Sequence, residues 1–208
     1  MMALEQRVMA LDQRDPIVMA DTGPLIRLAA AGLLNGLRST NRRVVIVDRV
    51  VAEATGDPAK PYAQEIAQWI ARNGDAIERP RTLVGLAIER LEAGPRDAEE
   101  QRLLRATARN SGEKAIREFL ETWVPGTPGA LVVYEDEDVP HILQTTRVPL
   151  VLMTTRRFAR QLAEWGINVD AIAAIEEVAK QFNTRPSMLG SIDPEQSVDF
   201  RLMPKLDP

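Results

Sequence analysis

"IVMADTGPLI", residues Ile17 to Ile26, sets an apolar run directly against a single carboxylate, Asp21. The run Ile17–Ala20 does not alternate between apolar and polar residues. A strand with one solvated face alternates, whereas a strand buried on both faces does not. Helical spacing begins at once after the acid, with Leu25, Leu28, Ala29 and Leu33 recurring on one face, and Pro24 suits a first helical turn. The stretch therefore reads as strand, acid, helix.

The same pattern recurs along the chain. "VVIV" (Val44–Val47) is a second strand-like run, followed by a short helical stretch around Val50–Ala54. "TGDPAKP" (Thr55–Pro61) is a break, and Ile66, Trp69 and Ile70 mark an amphipathic helix ending near Asn73-Gly74. "AIERPR" reads as a short strand and "TLVGLAIERLEAG" as a helix. Asp97 and Glu100 have capping-box spacing ahead of a helix running towards Arg109. "NSGEKAIREFLETW" starts another helix, with Ser111 as its expected cap. "PGTPG" breaks it. "ALVVY" (Ala130–Tyr134) and "VPLVLM" (Val148–Met153) are two further strands. "TTRRFARQLAEWG", stopped by Gly166, and "DAIAAIEEVAKQF" are the last helices. Buried strands separated by helices predict an α/β fold with a central parallel sheet covered on both faces. The predicted division is an N-terminal extension over 1–15, a domain over 16–183 and a C-terminal tail over 184–208.

Composition narrows the chemistry. With no cysteine there is no disulfide, thiolate metal site or cysteine nucleophile, and a single histidine, His141, rules out a zinc site built from several imidazoles. The absence of cysteine fits a reducing compartment, and a cytoplasmic location is expected. No apolar stretch approaches the length of a membrane span, and "MMALEQRVMALDQRD" lacks the apolar core of a signal peptide. A net charge of −4 does not advertise nucleic-acid binding, although a local basic patch can still steer a polyanion.

Acids sit where open parallel sheets place their ligands, beyond the carboxyl ends of strands. Asp21 follows the first strand, and Glu135 and Asp136 follow "ALVVY". Glu53 lies on the short helix after the second strand, and Glu113 lies in the first turn of a helix. If they converge they need a counter-charge, and an oxygen-only ligand set suits Mg²⁺ or Mn²⁺. Each acid also has a plainer reading. Asp21 could be a turn or cap residue, Glu53 a surface acid, and Glu113 a partner for the helix dipole. The spacing alone leaves these open.

The motifs together resemble the PIN-domain family of metal-dependent nucleases. "VMADTGPLIRLAAAGLL" looks like its opening strand–Asp–Thr/Ser–helix motif. "VVIVDRVVAEAT" looks like the helix presenting the second acid, "SGEKAI" like the Gly-Glu helix start, and "LVVYEDED" like the strand ending in the last acidic cluster. The likeness spans roughly 16–168 and is loose over 76–108. It implies a three-layer sandwich and an endoribonuclease that uses metal-activated water, with Mg²⁺ or Mn²⁺ as cofactor. By that likeness Asp21, Glu53, Glu113 and Asp136 are catalytic, and Asp21, Glu113 and Asp136 hold the metal. Two departures stand out. The last motif offers Glu135 and Asp138 beside Asp136, and the helix after it lacks the arginine often found there.

Thr22, Thr154, Arg156 and Arg157 are candidate substrate contacts. Their plainer readings are helix caps for the threonines and a solvated basic face for the arginines, Arg160 included. His141 reads as a surface or packing residue, and Trp69, Trp123 and Trp165 as core or rim. The partners implied are RNA and, since many members are toxins, a protein antitoxin. A homodimer is compatible with the resemblance. The rival readings are a PIN-like domain that binds nucleic acid or protein without cutting, and a small-molecule phosphoryl hydrolase. The second has neither a P-loop nor a dinucleotide fingerprint to support it.

Overall fold

The computed structural model describes residues 16–93, 97–122, 129–143, 146 and 148–181. The predicted N-terminal extension and C-terminal tail, Trp123 and most of "PGTPG" lie outside the described residues. Within them the order is β1 (Ile17–Ala20), α1 (Thr22–Ala30), α2 (Asn35–Arg38), β2 (Arg43–Val45), α3 (Asp48–Thr55), α4 (Ala63–Arg72) and β3 (Ile77–Glu78). There follow α5 (Leu83–Ala93), α6 (Ala98–Ala108), α7 (Ser111–Glu121), β4 (Ala130–Tyr134), α8 (Asp138–Leu143), β5 (Leu150–Thr154), α9 (Thr155–Glu164) and α10 (Ala171–Gln181). The fold is α/β.

The five strands form one sheet in the order β3-β2-β1-β4-β5. Every pairing is parallel, with Val18 opposite Val44 on one side and Leu131 on the other. All four residues of β1 and all five of β4 are buried. Successive side chains of a strand point to opposite faces, so a wholly buried strand is covered on both. That is consistent with a three-layer sandwich. The core is mainly aliphatic, with Ile17, Leu25, Leu28, Ile46, Ile66, Ile116, Leu120 and Leu131 fully enclosed together with the aromatic Phe158.

The strand order fixes where a ligand can sit. From β1 the chain steps outward through β2 to β3, then returns to the other side of β1 to place β4 and β5. The direction of winding therefore reverses between β1 and β4. Ligand crevices of open α/β sheets form at such a reversal, outside the carboxyl ends of the strands. Asp21 and Glu135-Asp136 are the residues that leave those two ends.

Boundaries shift where local chemistry competes with apolar patterning. The second strand is Arg43–Val45 rather than Val44–Val47, because Val47 becomes the extended cap residue of α3. β3 has only two residues, at the sheet's edge, and Pro80 follows without an N–H to give. Its carbonyl accepts from the Asp48 amide at 3.1 Å. The box at Asp97 is complete: its Oδ1 accepts from the Glu99 and Glu100 amides, and the Glu100 carboxylate accepts from the Asp97 amide. Gly166 ends α9 with φ of 71°.

Candidate metal centre

Asp21 is the cap residue of α1, in extended conformation at φ −77° and ψ 173°. Its amide continues the sheet by donating to the Val133 carbonyl at 3.0 Å, while its side chain makes no cap hydrogen bond. A cap aspartate ordinarily spends its carboxylate on the first helical amides. Here the carboxylate, on a residue only 6% exposed, takes one backbone hydrogen bond, from the adjacent Thr22, and has no cationic partner among the described residues.

The N-terminus of α7 closes over it. Gly112 is the reason the approach is so near: a Cβ there would stand 2.9 Å from Asp21 Oδ1, 3.2 Å from Glu53 Oε2 and 3.3 Å from Val50 Cγ2. The carboxylates of Asp21 and Glu53 thus flank one small space that only glycine leaves open. Glu113, the next residue, is 8% exposed. Burial pushes the Asp21 carboxyl up to about 7, and Glu113, Glu53 and Asp136 add to the rise. Glu113 is raised for the same main reason, with Glu53, Asp136 and Asp138 contributing. The structure therefore brings Asp21, Glu53, Glu113 and Asp136 into one electrostatic cluster.

The acids after β4 separate by what they touch. Glu135 turns back against Gly23 and pairs with Arg27 at 3.4 Å. Asp138 accepts from Asn110 Nδ2 at 3.3 Å. Asp136 accepts from the Asp138 amide at 2.9 Å, as a turn residue does, yet it alone of the three acts on both Asp21 and Glu113. Asp136 is exposed, at the outer side of the cluster.

Glu53 differs from the other three. Its Oε2 accepts from Thr22 Oγ1 at 3.0 Å, and its Oε1 accepts from the Ser111 hydroxyl. Arg49, one turn earlier on α3, lies 3.7 Å from Oε1 and donates from Nε to Ser111 Oγ at 3.3 Å. Thr22 therefore orients Glu53 rather than capping α1. Ser111 is likewise not the cap of α7 that its sequence position suggests. Asn110 holds that place at φ 52°, and Ser111 is the first helical residue, its hydroxyl turned to Glu53. Arg49 is the residue that sequence reasoning missed, although its i,i+4 spacing to Glu53 was the available signal.

The other candidates go elsewhere. Thr154 caps α9 by accepting from the Arg157 amide at 3.2 Å. Arg156 pairs with Glu176 of α10 at 2.7 Å, and Arg157 and Arg160 are exposed. No hydrogen bond or ion pair among the described residues ties Thr154, Arg156 or Arg157 to the four acids. His141 is exposed, while Trp69 is buried with its indole N–H on Asn35.

The donor set fits a hard divalent cation, since Asp21, Glu113 and Asp136 offer carboxylate oxygens only, and beside Gly112 Asp21 and Glu53 flank a space that a single methyl group would fill. Among the described residues no three acidic side chains are already spaced to enclose an ion. Mg²⁺ asks less than that, since it keeps several waters and is held by one or two carboxylates. No helix among the described residues is long and apolar enough to cross a membrane. No family model, curated protein or solved structure matches this chain.

Proposed function

We propose that this protein is a Mg²⁺- or Mn²⁺-dependent nuclease of PIN-like design, acting on RNA. One observation carries the metal reading. Asp21 and Glu113 are both more than nine-tenths buried, and among the described residues neither has a cationic partner. Glu53 and Glu135, by contrast, each lie against an arginine. Buried carboxylates are paired with a cation, coordinate a metal or become protonated. The rise of Asp21 to about 7 is the cost of lacking the first two, and a divalent ion would reverse it.

Asp21, Glu113 and Asp136 would hold the ion. When bound, such an ion would lower the pKa of water so that hydroxide becomes available to attack a phosphodiester, and would offset charge on the phosphate. The protein's own groups do the rest. Glu53, fixed by Thr22 and Ser111, is the acid oriented to accept a proton at the crevice. The unneutralised acids repel phosphate until a cation is bound, so substrate follows metal. The choice of RNA, like the role of toxin with a protein antitoxin, is supported by the motif resemblance alone.

The test is cleavage of single-stranded RNA by the full chain with Mg²⁺ or Mn²⁺. Cleavage that stops with chelator and falls at least 100-fold in Asp21→Asn supports the reading. Mn²⁺ binding without cleavage would point instead to a domain that binds but does not cut. Turnover of a small phosphate ester with RNA left intact would point to a phosphohydrolase.

A further inference from the structure

Arg49 is 8% exposed, on the inner side of α3, and among the described residues it is the one buried arginine. Its guanidinium bridges Glu53 and one of the two hydroxyls that fix it: it lies 3.7 Å from Glu53 Oε1 and donates to Ser111 Oγ. Glu53 Oε2 in turn shares the space beside Gly112 with Asp21 Oδ1. A permanent positive charge therefore stands one carboxylate away from the two buried acids that have none.

We propose that Arg49 is a positioning residue and the built-in counter-charge of the acid cluster: it neutralises Glu53 and so weakens divalent-cation binding at Asp21, Glu113 and Asp136. This rests on the metal reading above. The physical reason is additive charge. Four carboxylates with nothing opposing them would hold a divalent ion tightly and slow the exchange of its waters. One internal cation lowers the field without occupying the ligand positions, because among the described residues the guanidinium's ion pair and hydrogen bond go to Glu53 and Ser111. Being buried and engaged, Arg49 does not contact substrate.

A charge role and a purely structural one give opposite signs. The test is a Mn²⁺ titration of the full chain at pH 8, followed by the electron paramagnetic resonance of free Mn²⁺. Arg49→Met is expected to bind Mn²⁺ about tenfold more tightly than wild type, and Glu53→Gln about tenfold more weakly. The double variant, in which both charges of the pair are gone, should return to within about threefold of wild type. Arg49→Lys, which keeps the charge, should stay close to wild type. If Arg49 merely braces α3 against α7, Arg49→Met binds more weakly or not at all, and that result overturns the proposal. Should Arg49→Met fail to fold, adding it to Glu53→Gln must still tighten binding about tenfold, and no change there is equally fatal. Equal binding by every chain sinks the counter-charge alone. Absence of Mn²⁺ binding in all of them sinks the metal reading and this proposal with it.

Discussion

Asp21 is buried, acidic and, among the described residues, without a cationic partner, so its proton should govern both stability and metal uptake. An acid whose folded value is raised adds stability that is fully present below its unfolded value near 3.8 and lost as pH climbs through about 7. In chelator, Asp21→Asn should therefore gain stability relative to wild type between about pH 4 and pH 8, by at most about 4 kcal/mol at one pH unit per 1.36 kcal/mol. Paired thermal melts across that range measure the difference, and a flat difference would contradict the raised value. Gly112→Ala makes a second case. Alanine is the better helix former by about 1 kcal/mol, yet its Cβ would stand 2.9 Å from Asp21 Oδ1. Loss of Mn²⁺ affinity by tenfold or more with little loss of melting temperature is expected, since the new methyl would crowd Asp21 Oδ1, a ligand of the proposed ion. Such a residue is only half legible in sequence. The Gly-Glu pair was readable through the motif it resembles, but the reason for the glycine is the third dimension. The same holds for Arg49, which in a one-dimensional reading is another charged position on an amphipathic helix.

Helices and strands were legible where patterning had no competitor. β1 coincides with the apolar run Ile17–Ala20, β4 with Ala130–Tyr134, and the box at Asp97 forms as its spacing implies. Helix starts were less legible when the cap came from far along the chain. The N-terminus of α5 is held by two acids from other helices. Asp48 accepts from the Thr82 amide at 3.0 Å and its hydroxyl at 2.8 Å, and Glu118 accepts from the Leu83 and Val84 amides at 2.6 and 2.9 Å. No local motif announces either. Gly85 permits the first of these, because a Cβ there would lie 2.0 Å from Asp48 Oδ2. Asp48→Ala should cost about 1–3 kcal/mol, as a partly buried cap with its donors left unsatisfied. Amide exchange should then accelerate first in α5, while β1 and β4 stay protected. Uniform acceleration throughout would mean that α5 is not separately anchored.

The whole molecule brings together acids that are 115 residues apart in sequence because the sheet changes winding direction between β1 and β4. A parallel sheet places every strand's carboxyl end on one side, and the reversal opens a crevice there rather than closing it with a crossover. Metal binding should therefore stabilise the fold as a unit. At 100 times its dissociation constant, Mn²⁺ adds about 2.7 kcal/mol, a rise of roughly 5–10 °C for a domain of this size. That rise should shrink as pH falls from 8 to 5, because Asp21 must give up its proton for the ion, and it should be absent in Asp21→Asn. The most direct test is anomalous diffraction from a crystal of the full chain soaked in Mn²⁺, recorded above the manganese edge. A peak is expected within coordinating distance of Asp21, in the crevice proposed to be shared with Glu113 and Asp136. Strong manganese peaks elsewhere with none at Asp21 would contradict the metal reading.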